Sequence, residues 1–205
     1  MIKRMRNEKG FSLVELIIVI AIMAIVAGVV APTVFKYVDK ARRRTIENDA
    51  KAVYTAANSA IIDFFSGDLA PGNDHLGLED SAEKFLDEET GEVVGRITTQ
   101  TIGAIMNNPN NPGVTGQSQV DLELSKSICK SIGMAGKWAT TSPSGQSANY
   151  TGGKYYAQIT YTQGGVLTVE LCKNKYYTIY DGTSFTTSKY SGSEQPKFHN
   201  VKPTN

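Results

Sequence analysis

The chain has 205 residues, 40 % of them hydrophobic and 20 % charged, with 21 basic residues against 20 acidic and a formal net charge of +1. That length holds one domain of ordinary size plus an appendage, and such a balance excludes nucleic-acid binding by bulk charge. Lys3, Arg4, Arg6 and Lys9 sit with Glu8 in the first ten positions, so the remainder carries a formal −2.

The first element is apolar. No charged or strongly polar side chain occurs over residues 16–30, and the run extends over 11–35 with Ser12, Glu15, Pro32 and Thr33 as its polar or helix-breaking interruptions. As a helix it spans roughly 35 Å, enough for a hydrocarbon core of about 30 Å. A secretory signal peptide would have a shorter apolar region and a small-residue cleavage site. A plain membrane anchor would have no reason to carry an acid near its start. An acid inside hydrocarbon costs on the order of 2.5–3.5 kcal/mol and needs a partner, and the run contains no basic side chain.

Lys9, Gly10, Phe11, Ser12, Leu13, Val14 and Glu15, preceded by a basic leader and followed by the apolar run, resemble the class III signal of the type IV prepilins. The resemblance covers the leader and the first helix. It implies removal of residues 1–10 by a prepilin peptidase that cuts between Gly10 and Phe11, and N-methylation of Phe11. Gly10 suits such a cut, since it places no side chain at the scissile bond. The leader's charges hold that bond at the cytoplasmic face. Cleavage would free a cationic amine on Phe11, the natural partner for Glu15, in the same chain or, as the resemblance implies, on an adjacent subunit during assembly. A pair between subunits would also fix their stagger. The plainer reading of Glu15 is an acid near the interface that favours the helix N-terminus through the dipole.

Pro32 lacks an N–H and crowds the carbonyl of Gly28, so the helix is weakest between them and a kink is expected. The resemblance implies loss of helix over 27–32 in filaments; a curved membrane helix is the plainer alternative. Beyond Pro32 the helical period continues. Val38, Ala41, Ile46, Ala50, Val53, Ala57, Ala60, Ile61 and Phe64 fall near one face, and Gly67 caps the end. Lys36, Lys40, Arg42, Arg43 and Arg44 follow the apolar run, so positive charge flanks it on both sides and orientation rests on the cleavage signal.

Residues 68–119 are loop-rich, with turns at 71–74 and 107–113, a short helix over 81–89, a strand over 92–99 and an apolar element at 102–106. Residues 120–132 have helical spacing. Tyr155, Ala157, Ile159 and Tyr161 alternate with polar neighbours, as do Leu167, Val169 and Leu171; a third strand covers 176–180, and Trp138 belongs to another. One face of this antiparallel meander packs on Val53, Ala57, Ile61 and Phe64, and the tail from 188 onward is loosely ordered. The fold class is α+β, a long N-terminal helix packed against an antiparallel β-sheet, in agreement with the type IV pilin plan. Residues 1–10 are the leader, 11–35 the membrane and filament-core half of the helix, and 36–205 the globular head.

Cys129 and Cys172, the only cysteines in a chain that reads as exported, are expected to form a disulfide worth on the order of 4 kcal/mol; two buried thiols are the alternative. His75 and His199 stand alone in polar loops, with no catalytic, metal or cofactor constellation and no phosphate-binding glycine pattern, so no enzyme is expected. The resemblance implies a subunit of a type IV pilus that polymerises through its apolar helix for adhesion, surface motility or aggregation. Its partners would be copies of itself, the prepilin peptidase, a pilus assembly platform protein and, before assembly, membrane lipid. It would sit in the cytoplasmic membrane with its N-terminus inside, and on the cell surface once assembled. The alternatives are a pseudopilin of a type II secretion or DNA-uptake system, and a minor or tip pilin acting as a binding module.

Overall fold

The computed structural model describes residues 10–66, 85–87, 91–98, 101–103, 105, 119–132, 138, 154–189, 198 and 201–203. It divides into two compact units, Met1–Ala41 and Arg42–Asn205. Gly67, the turns at 71–74 and 107–113, His75 and His199 lie outside the described residues.

The described part of the first unit is helical. Helix α1, Leu13–Phe65, begins here and continues through Pro32 without a break. Val and Ile are mediocre helix formers in water, yet a single segment surrounded by lipid must bond its own N–H and C=O groups, and the helix does that. Ile17, Ile18, Ile25, Val29 and Phe35 are all exposed, as is every other large apolar side chain from Phe11 to Val38. This stretch qualifies as a membrane span by length and composition, and none of its best window is buried within the chain.

In the second unit α1 carries a buried stripe of Ile46, Ala50, Val53, Ala57, Ala60, Ile61 and Phe64, spaced by threes and fours. Four strands follow one another as a meander: β3 (Tyr156–Thr162), β4 (Gly165–Lys173), β5 (Tyr176–Tyr180) and β6 (Phe185–Lys189). β2 (Val93–Thr98), β1 (Phe85–Asp87) and β7 (Val201–Pro203) extend the sheet beyond β3, giving the order β6–β5–β4–β3–β2–β1–β7 with antiparallel neighbours throughout. Helix α2, Gln119–Ile132, supplies Val120, Leu124 and Ile128 to the same core as Ile97, Ile159, Val169 and Leu171. Val53, Ala57, Ile61 and Phe64 join that core as the helical period required.

Two hairpins show why the chain turns where it does. Between β4 and β5 both Asn174 (φ 51°) and Lys175 (φ 69°) are left-handed, the conformation of a two-residue turn whose twist matches the strands it joins. Between β3 and β4, Gly165 has φ 137°. There Tyr54 of α1 donates to the Val166 carbonyl at 3.2 Å, and Asn58 accepts the Val166 N–H at 3.0 Å, so the helix holds this turn by its backbone. Gly95 of β2 faces Tyr161 of β3 directly, and the phenol ring fills the space a side chain would need.

Two expectations fail. Where a short helix over 81–89 is expected, the described residues 85–87 form strand β1: Phe85 and Leu86 pair with Val94 and Val93, and ladder pairing outweighs the weak local helix preference of this acidic stretch. The tail is not loose throughout, since β6 runs to Lys189 and Val201 pairs with Asp87. The strand near 92–99, the helix near 120–132 and the meander stand as read, while the element at 102–106 is helical at its described positions. Trp138 makes a parallel bridge to Tyr155.

Candidate functional site

Gly10 is exposed, and a Cβ built there meets nothing within 4 Å, so packing does not require this glycine. Phe11 beside it is 87 % exposed. The helix then starts with three hydrogen bonds centred on Ser12. The Ser12 N–H donates to Oε2 of Glu15 at 2.9 Å, the Val14 N–H donates to Oγ of Ser12 at 3.3 Å, and the Leu16 N–H donates to the Ser12 carbonyl at 3.2 Å. Ser12 is thus the N-cap and Glu15 its third helical residue, a reciprocal arrangement that satisfies backbone donors a helix start leaves orphaned. The pattern S-x-x-E is legible in the sequence, and it is the feature that charge reasoning about Glu15 passes over.

The carboxylate also sits where the positive end of the helix dipole favours it. Capping and charge pairing are therefore both open to Glu15. Around it the surface is uniformly apolar, from Leu13 at 73 % exposed to Phe35 at 73 %. Water alone does not tolerate such a continuous patch, and a bilayer or other apolar helices must cover it.

The profile of the prokaryotic N-terminal methylation motif matches residues 5–31. The type IV major alpha-pilin of Moraxella bovis is 31 % identical over 81 residues, covering 38 % of this chain and 51 % of that pilin. A fimbrial protein of Pseudomonas aeruginosa is 37 % identical over 59 residues, covering 29 % of this chain and 38 % of the relative. The N-terminal segment is similar to that of type IV pilins.

The chain thus spans about half the length of the Moraxella pilin it matches and less of the Pseudomonas one. No solved structure matches it. Within α1, Gly28 has open space around its Cβ position and Thr33 donates its hydroxyl back to the Val29 carbonyl at 3.5 Å. That bond sits beside the Gly28 carbonyl, which Pro32 leaves without its usual donor.

The head of this pilin-like chain corrects the cysteine expectation. Cys129 and Cys172 are buried thiols that are not joined in a disulfide. Cys129 belongs to the core beside Leu124 and Ile128, and its thiol points to the Ile102 carbonyl at 3.8 Å. Cys172 follows Leu171 on β4. Leu171 and Val169 enter the core, so strand alternation turns Cys172 to the opposite face, between Tyr156 and Tyr177. The sheet separates the two sulfurs, and spacing in sequence carries no sign of which face each will take. Burial pushes the Cys129 thiol up to about 12, which keeps it protonated and unreactive.

That opposite face is polar and still buried. Glu170 is 1 % exposed, with Gln158 and Thr160 buried beside it. Tyr177 is pushed well above the ordinary phenol range, first by burial and then by the Glu170 carboxylate it donates to. Its ring meets Phe198 edge-on at 5.9 Å. On the core side Tyr155 donates to Asp49 of α1 and is likewise raised, mainly by burial, while Lys173 lies 3.7 Å above its ring. Arg43 pairs with Glu47 at 2.9 Å, and Glu47 also accepts from Thr187 of β6. The Tyr155–Asp49 and Thr187–Glu47 bonds tie helix to sheet, while Arg43–Glu47 lies within α1 and Tyr177–Glu170 within the sheet. Among the described residues no three His, Cys, Asp or Glu side chains form a cluster that would hold a metal ion.

Proposed function

We propose that the chain is a structural subunit of a type IV pilus, made as a precursor in the cytoplasmic membrane and polymerised through its apolar helix after the leader is cut off. The observation that carries this reading is a single acid, Glu15, at the start of a charge-free and wholly exposed apolar helix. Before assembly, lipid covers that helix and a peptidase cuts between Gly10 and Phe11. Methylation of the new Phe11 amine leaves it a cation. In the filament core the amine of one subunit meets the Glu15 carboxylate of its neighbour, and an incorrect stagger leaves both charges unpaired in an apolar setting. Gly28 and Pro32 give the helix a weak point at which it loosens as it leaves lipid. The head, with its buried ties and no reactive constellation among the described residues, has a scaffold role rather than a catalytic one. An assembly platform protein would draw the subunit from the membrane, and the assembled fibre would lie outside the cell and serve adhesion, motility or aggregation.

Glu15→Ala tests this reading in cells that make the fibres. The expected result is a cleaved, folded, membrane-held subunit of normal abundance that is depleted about ten-fold or more from sheared filaments, as loss of one ion pair of roughly 1.4 kcal/mol or more requires. Normal filament yield removes Glu15 from assembly and with it the reading.

A further inference from the structure

The capping bonds at the start of α1 are formed while the leader is still attached. Glu15 is therefore not a free side chain waiting for a cation. Its Oε2 is engaged by the Ser12 N–H, and Oε1 has no hydrogen-bond partner among the described residues. Ser12 in turn is held by the two N–H groups that converge on it, Val14 on Oγ and Leu16 on the carbonyl. We propose that Ser12 is a positioning residue for assembly: its backbone N–H fixes one oxygen of Glu15 at the helix start and leaves the other directed to the incoming amine of a second copy of this chain.

The inference rests on the assembly reading above and adds a residue to it. An unconstrained Glu has three side-chain torsions to freeze when it forms an ion pair, and ordering such a side chain opposes the pair. The cap freezes them in advance. It also lowers the cost of holding a carboxylate in lipid before any amine is available, since a hydrogen-bonded anion is less penalised than a bare one. The hydroxyl matters because it ties the Val14 N–H, and so keeps the Ser12 backbone in the orientation that aims its own N–H at Glu15. Threonine can make the same bond and alanine cannot.

The test uses the full chain in fibre-forming cells, scored as the fraction of cleaved subunit recovered in sheared filaments, so that a change in leader processing does not enter. Ser12→Ala should lower that fraction roughly three- to ten-fold, as expected for loss of an N-cap, and Ser12→Thr should restore it. In a Glu15→Ala background, Ser12→Ala should cause no further loss, because the two residues act as one unit. A second readout covers the case in which Glu15→Ala leaves too few filaments to compare. In the cleaved subunit held in detergent micelles, the Ser12 amide proton should resonate downfield and move upfield in Glu15→Ala. Normal assembly of Ser12→Ala, an equal loss in both backgrounds, or a Ser12 amide unmoved by Glu15→Ala overturns the positioning role. If Glu15→Ala itself assembles normally, the assembly reading is what fails.

Discussion

Gly95→Ala probes the closest approach in the head. Gly95 is buried on β2 directly opposite Tyr161, and a Cβ there would lie 2.5 and 2.6 Å from two ring carbons and closer still to Cζ. Carbon atoms rest about 3.5–4.0 Å apart, so ring or strand must move by on the order of 1 Å. The ring has little room to yield. Tyr161 is 0 % exposed and packs against Phe65 of α1 at 6.5 Å between centroids. Overpacking of this kind costs about 1–3 kcal/mol, against which the stiffer unfolded chain of alanine returns roughly 0.4–1. Gly95→Ala should therefore destabilise the head by about 1–2 kcal/mol. Trp138, the only tryptophan and 0 % exposed, is a native probe for denaturant unfolding of the chain in detergent. Gly95→Ala combined with Tyr161→Leu should lose less than the sum of the two single changes. An unchanged unfolding midpoint for Gly95→Ala would refute the packing argument.

Three further outcomes follow from the head. Native intact mass should be the same with and without reductant, and both cysteines should resist alkylation until denaturant is added; a loss of two mass units without reductant contradicts the placement of the thiols on opposite sheet faces. Stability should be full below about pH 9 and fall above it. Cys129, raised to about 12 from 9.0, and the raised phenols of Tyr155 and Tyr177 keep protons in the fold that the unfolded chain releases. Denaturant midpoints across that range should decline, with Cys129→Val removing the thiol's share, whereas a flat profile contradicts the burial of these groups. Asn58→Ala should cost about 1–3 kcal/mol by stranding the buried Val166 N–H, and Tyr54→Phe only about 0.5–1.5 kcal/mol. Equal costs would mean the β3–β4 turn is not held as described.

The helix and the meander were readable because their signals are periodic. Ile46, Ala50, Val53, Ala57, Ile61 and Phe64 recur at helical spacing, and Tyr155 through Tyr161 alternate with period two. Strand β1 was not readable, since three residues carry no period and its place in the sheet depends on pairing with β2 just ahead and with β7 far along the chain. The cysteines failed for a related reason. Counting predicts a pair, but only the register of β4 against β3 and β5 decides that Cys172 turns away from the core. At the N-terminus the charge of Glu15 stands out within the apolar run, and its capping partner Ser12 is legible only in the shorter S-x-x-E pattern.

Mass spectrometry of subunits from sheared surface filaments is the most direct check on the route from membrane precursor to fibre. Their mass should correspond to a chain that begins at Phe11 and carries one added methyl group. Filaments built from subunits that still begin at Met1 would contradict it, because no amine would then exist beside Ser12 to meet Glu15 of the neighbouring subunit.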